Sequence, residues 1–116
     1  MKPSTTIAIP QWRGRVSPVL DTAGTLLVVH TESGREIQRF EYSISQNDPM
    51  SRAREIARTR AETVICAAVS RPLAVGLTSL GVHVIPQTCG PVGEVLEAFA
   101  DGRLNDGAFL MPGCRR

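Results

Sequence analysis

Cys89 stands in "QTCGPVGEVLEAF", just before a Gly-Pro step and an apolar periodic run. The pattern predicts a helix whose amino end lies at or just after the cysteine. The positive end of that helix dipole would favour a thiolate. Thiolates are soft ligands, suited to iron–sulfur, copper or zinc. The other reading of Cys89 is a small residue filling a turn, and the sequence leaves both open. Cys114, in "MPGCRR", is either a second soft ligand on the end of the chain or a terminal residue without a role. Cys66, inside "TVICAAV", reads as inert core.

A second helix is expected to open at Ser70–Arg71, so two helix amino termini, there and at Cys89–Gly90, would offer free amides to an anion. Arg13 and Arg15, in the long loop "QWRGRVSPVLDTAG" (11–24), are placed to close over it. There is no GxGxxG and no Walker loop. His30 and His83 lie within strand-like runs and read as satisfied or edge histidines. Trp12 reads as a lid or packing residue. Arg52, Arg54, Arg58 and Arg60 read as the solvated face of a helix, or as a partner patch.

The chain has 116 residues, enough for one domain with its own core. The net charge of +2 is too weak to argue for nucleic acid. Three cysteines without CxxC spacing do not make a disulfide framework, so reduced thiols in the cytoplasm are the expectation. No apolar run reads as a signal peptide or membrane span. A domain over 1–104 with a carboxyl-terminal tail over 105–116 is expected.

Residues 5–10 read as a strand, 25–31 as a second and 36–43 as a third, the last two joined through "ESGR" as a hairpin. Asp48 and Pro49 then mark a helix start, and residues 50–62 carry apolar side chains at helical spacing. Residues 63–69 form an apolar run of the kind buried on both faces. Residues 70–81 predict a short helix ended by Gly81, 82–86 another buried strand, and 88–102 a last helix. Val16, Val19 and Leu20 in the long loop look buried.

The order βββαβαβα predicts an α/β fold with a five-stranded mixed sheet, strand order 3-2-1-4-5. Right-handed crossovers put the first two helices on one face and the last on the other. This is a ribonuclease-H-like three-layer α/β/α arrangement. The long loop and the turns at 67–72 and 87–91 then share the carboxyl edge of the sheet, where open α/β sheets bind ligands. A nuclease of this architecture needs a carboxylate in its first strand for two-metal chemistry, and "TTIAIP" has none.

The stretches "IAIPQWRGRVSPVLDTAGTLLVV" and "AETVICAAVSRPLAVGLTSLGVHVIPQTCGPVGEVLEAFADGRL" resemble the dinitrogenase iron–molybdenum cofactor biosynthesis family, over residues 5–104. The likeness lies in the "GRVSP" loop, the "GVHVIP" step and the closing "GEVLEAFADGRL" helix. Two places depart from the family pattern: Leu20 where phenylalanine is common, and "CAAVSRP" where a glycine-rich turn is common.

The resemblance implies the same three-layer fold. It also implies a small non-enzymatic binding or carrier protein for a metal–sulfur cluster. The cluster would be an iron–molybdenum cofactor precursor or a related molybdenum, iron or copper sulfide. Arg13, Arg15, Ser17, Ser70, Arg71 and Gly90 would line the anionic cluster, with Cys89 and Cys114 as metal ligands. Partners would be cluster donor or acceptor proteins, without nucleic acid or membrane, and the chain a monomer or weak homodimer. The alternative is a cofactor-free interaction module using the arginine face of the first helix or the third strand.

Overall fold

The computed structural model describes residues 4–102, 104 and 109. Two tight turns shape its first half. Arg13 and Gly14 have φ of 53° and 79°, and Ser33 and Gly34 have 52° and 80°. Two successive left-handed residues are the type I′ signature, whose twist matches the strands it joins. The first turn folds β2 (Arg15–Val16) back on β1 (Ser4–Trp12); the second joins β3 (Thr25–Glu32) to β4 (Arg35–Ser43). A 3-10 turn, Leu20–Thr22, lies between β2 and β3.

The second half alternates: α1 (Pro49–Ala57), β5 (Thr63–Ile65), α2 (Arg71–Ser79), β6 (His83–Ile85) and α3 (Val92–Ala100). Asp48 caps α1 by accepting from the Ser51 amide, and Ser70 caps α2 by accepting from that of Leu73. The long strands lie in the order β4-β3-β1-β5-β6, with β2 pairing only β1. β1/β3 and β3/β4 are antiparallel, and β1/β5 and β5/β6 are parallel.

Strand periodicity divides the core in two. Ala8, Leu26, Val28 and Val64 face Ala53 and Ile56 of α1 and Leu73 and Leu77 of α2. Their neighbours Ile7, Ile9, Leu27, Val29 and Ile65 face Val92, Val95 and Ala98 of α3. Helices therefore cover the sheet on both faces, two against one. Each fully buried aliphatic side chain contributes roughly 1.5–3 kcal/mol.

Several expectations are corrected. The sheet has six strands, not five, because Arg15–Val16 pair with Gln11–Trp12 inside the supposed loop. Residues 82–86 are not a buried strand: β6 is the sheet edge, with His83 exposed and Val84 and Ile85 half-buried. Val19 is 38% exposed, while Val16 and Leu20 are buried. Arg52 is 3% exposed, so the arginines of α1 do not form one solvated face. The last helix begins at Val92 rather than 88. Gly90 at φ 126° and Pro91 in extended conformation hold the chain out of the helix.

Candidate functional site at the carboxyl edge of the sheet

β1, β5 and β6 run parallel, so their carboxyl ends open on one edge. The turns that follow β5 and β6 are joined there, Gln87 N–H to Ala67 O at 2.8 Å and Thr88 N–H to Cys66 O at 2.9 Å. Residues 14–20 are stitched to both. On one side Val16 N–H donates to Gly90 O (3.0 Å) and Val92 N–H to Gly14 O (2.8 Å). On the other, Leu20 N–H donates to Ala68 O (2.8 Å) and Ala68 N–H to Pro18 O (3.0 Å). The twelve residues between β1 and β3 are thus needed to pair with two separate turns, which a bare hairpin could not reach.

The loop is also held from behind. The Arg52 guanidinium donates through Nε to Leu20 O (3.0 Å), through Nη1 to Gln46 O (2.7 Å) and through Nη2 to Ala23 O. Only arginine has enough donors in one planar fork for three carbonyls. Burial pushes its pKa down, opposed by the charges of Glu55 and Asp21. Glu55 accepts from the amides of Ser45 and Gln46 and from the hydroxyls of Ser45 and Tyr42. Neither group was legible as structural in an arginine-rich helix, because periodicity does not say which polar residue turns inward.

Asp21 projects from the 3-10 turn to Ser70. It accepts the Ser70 N–H at 2.7 Å and the Ser70 hydroxyl at a short distance. Sequence reasoning gave Asp21 no role; a lone acid in a loop carries no signal of the helix start it meets.

The predicted site residues fall into two groups. Arg13 and Arg15 are exposed on the β1–β2 hairpin. The Arg13 guanidinium lies 4.5 Å from the centre of the Trp12 ring, which is itself 62% exposed. Arg15 pairs with Trp12 on one side and bridges Pro91 on the other, two residues from half-buried Cys89. Gly90 closes this group. A Cβ there would stand 3.4 Å from the Phe109 ring, and Cys89 N–H donates to Phe109 O at 2.7 Å. Ser70 and the exposed Arg71 belong to the other group, at the start of α2, where Ser70 is engaged by Asp21. Ser17 is buried beneath the loop.

Cys66 is wholly buried, and burial, then the charge of Asp21, pushes its thiol up to about 12. Cys114 lies outside the described residues. Among the described residues no three His, Cys, Asp or Glu side chains converge as a metal cage. Nor does any carboxylate among them pair with Arg13, Arg15 or Arg71. Two grooves reach this edge, one lined by Gln11, Gly14, Leu27 and Val92 and one by Pro86 and Gln87. Another, of about 550 Å³, separates α3 from β3 and β4, between Val29, Arg39, Leu96 and Phe99. No helix among the described residues is long and apolar enough to cross a membrane.

Fold and edge define a small mixed α/β protein with a basic, thiol-bearing rim. No family model and no curated protein sequence matches the chain. Solved structures do match its fold. The protein PH0822 superposes with a TM-score of 0.79 at 22% identity, covering 84% of this chain and 92% of its own. The apo form of the orange protein from Desulfovibrio gigas gives 0.72 at 20% identity, covering 91% and 95%. A Thermotoga protein described as a candidate NifB protein of the DUF35 family gives 0.65 at 26% identity, covering 85% and 90%.

Proposed function

We propose that this chain is a small, non-enzymatic cytoplasmic carrier for a metal–sulfur cluster, an iron–molybdenum cofactor precursor or a related molybdenum, iron or copper sulfide. The cluster is cargo, received from and passed to assembly proteins. One observation carries the reading: the loop stitched between two turns holds Arg13 and Arg15 beside Cys89–Gly90, on the edge where a sheet of this kind takes a ligand. The fold shared with the candidate NifB protein and the orange protein supports it.

The donor set suits an anionic cluster better than a bare ion. Guanidinium groups give charge-assisted hydrogen bonds to sulfide or oxo edges. Cys89 supplies one soft ligand, and Cys114 is the candidate for a second. Because Asp21 already fills the amino end of α2, Ser70 shapes the rim rather than binding cargo, and Arg71 contributes charge from the far side.

The test is anaerobic reconstitution with sulfide and iron, molybdenum or copper, followed by metal analysis and a visible spectrum. The wild type is expected to hold metal with sulfide and show charge-transfer absorption. Cys89→Ser and the double variant Arg13→Ala/Arg15→Ala should hold less. Wild-type protein that binds no metal with sulfide overturns the proposal in favour of a cofactor-free interaction module.

A further inference from the structure

The two edges of the sheet are finished differently. β6 is three residues long and is followed by Pro86, a short edge that offers little to another strand. β4 is nine residues long, and all but Tyr42 are exposed. It carries two large apolar side chains in the open, Ile37 at 54% and Phe40 at 45%. On the α3 side, the groove of about 550 Å³ lined by Glu36 and Arg39 keeps the helix off the strand. Nothing among the described residues lies beyond β4.

We propose that β4 is a self-association surface. Two copies of this chain pair antiparallel through it, with Phe40 on the two-fold axis and Arg39 of each copy opposite the partner's Glu41.

The register follows from symmetry and charge. Residues directly opposed in an antiparallel pair present their amides in the same sense. In a pair of identical strands the axis must therefore pass through a residue, not between two. Centring on Arg39 opposes two arginines, and centring on Glu41 opposes two glutamates. Centring on Gln38 places Phe40 against Glu36 and Ile37 against Arg39. Only Phe40 at the centre makes an aromatic pair, flanks it with two Arg39–Glu41 pairs, and sets Gln38 against Tyr42. Aromatic and opposite-charge cross-strand pairs are the favourable ones, and like charges opposed are unfavourable.

The side chains are already held for this. Arg39 lies along its own strand on Glu36, through Nε and Nη2 at 2.6 Å each, which leaves three of its five N–H donors unused by this pair. Glu41 takes one hydrogen bond from Gln11 Nε2 at 2.7 Å and keeps acceptor capacity. The ladder with β3 shifts register between His30 and Thr31, which leaves Ile37 as the extra residue. The bulge bends the strand beyond Ile37 and confines pairing to 37–43, the window centred on Phe40. The alternating charges guard the edge against other strands and make it specific for its own copy.

The test is sedimentation equilibrium of the full chain, across a range of concentrations. Wild type is expected to dimerise with concentration. Arg39→Glu and Glu41→Arg alone each set like charges opposite twice, and should raise the dissociation constant about tenfold or more, a change of at least ~1.4 kcal/mol. An equimolar mixture of the two variants restores both pairs and should dimerise again, which a fold defect would not allow. Phe40→Cys in a Cys89→Ser/Cys114→Ser background should form a disulfide dimer on oxidation, and Gln38→Cys should not. A wild type that stays monomeric, single variants that dimerise normally, or a mixture that stays monomeric each overturns the proposal. None of these readouts depends on the cluster-carrier reading.

Discussion

Asp21 and Ser70, 49 residues apart, are joined twice: the carboxylate accepts the serine N–H at 2.7 Å and its hydroxyl besides. The same hydroxyl oxygen accepts the Leu73 amide and caps α2. A fixed negative group therefore already sits at the positive end of α2. An anion reaching the α2 side of this edge meets a carboxylate beside Arg71, whereas Arg13 and Arg15 on the hairpin side have no carboxylate partner among the described residues. The relationship seals the loop to the sheet and fixes a negative charge on the α2 side of the edge.

Removing that carboxylate should separate the two effects. Asp21→Ala leaves the Ser70 amide without its partner and loosens the 3-10 turn. A loss of about 1–2 kcal/mol is expected, as for an interrupted cap or a half-buried hydrogen bond. Asp21→Asn, which can still accept from the amide, should lose less. Urea denaturation of the two variants checks this, and equal losses would mean that the charge, not the hydrogen bond, is what holds the loop.

Arg52 holds the same loop from the other side. Arg52→Ala strips the donor from three carbonyls at Leu20, Ala23 and Gln46 and opens a space beneath the turn. Hydrogen bonds to a charged group are worth about 1.5–3 kcal/mol each, so a loss of at least ~2 kcal/mol is expected. Arg52→Lys keeps the charge but not the fork and should recover only part of it. Exposed Arg54→Ala, two residues along on the other side of the helix, should change stability by less than about 0.5 kcal/mol.

The contrast between Arg52 and Arg54 shows what the sequence could and could not reveal. The apolar runs of β1 and β3, the Asp48 and Ser70 caps and the glycine at 81 are local signals, and each is written in a few adjacent residues. They suffice for the long strands and the three helices, but not for β2. The inward turn of Arg52, the reach of Asp21 to Ser70 and the packing of Phe109 on Gly90 are long-range relationships. No local pattern encodes them. The β1–β2 hairpin was hidden for another reason: Arg13 occupies the left-handed place where asparagine or glycine would have announced the turn.

Glu55 makes stability depend on pH in a defined direction. Burial by itself pushes its carboxyl up, but the amides of Gln46 and Ser45 and the hydroxyls of Tyr42 and Ser45 outweigh it, and the pKa is lowered. A folded value below the unfolded one means stability that is complete above the ordinary glutamate value of about 4.3 and lost as pH falls through the folded value. Urea midpoints of wild type and Glu55→Gln should therefore differ most at neutral pH and converge as the pH falls through the lowered folded value. A constant gap at all pH would show that the charge on Glu55 does not matter.

The thiols should separate by reactivity. Cys66 is buried with its thiol pushed up to about 12, whereas Cys89 is half-buried on the rim. The thiolate is the reactive form. In a Cys114→Ser background, iodoacetamide at about pH 8 should label Cys89 in the folded protein and Cys66 only after denaturation, as peptide mass mapping would show. Folded-state labelling of Cys66 would mean that the edge opens readily.

Arg13 holds a left-handed backbone conformation, φ 53°, that costs a non-glycine residue about 1–2 kcal/mol unless its side chain suits it. Its guanidinium is not buried and has no carboxylate partner among the described residues, and it lies over the Trp12 ring. Strain kept for so little structural return is what a binding residue at a turn would show. Arg13→Asn puts before Gly14 the residue type I′ turns prefer. The variant should be more stable by about 0.5–1 kcal/mol and melt a few degrees higher. On the carrier reading it should also retain less sulfide-bound metal after reconstitution, with a weaker dependence on salt, because one of the cations proposed for the site is gone. A gain in stability with cargo retention unchanged would leave Arg15 as the cation that matters. A loss of stability would show that the stack on Trp12 outweighs the backbone strain.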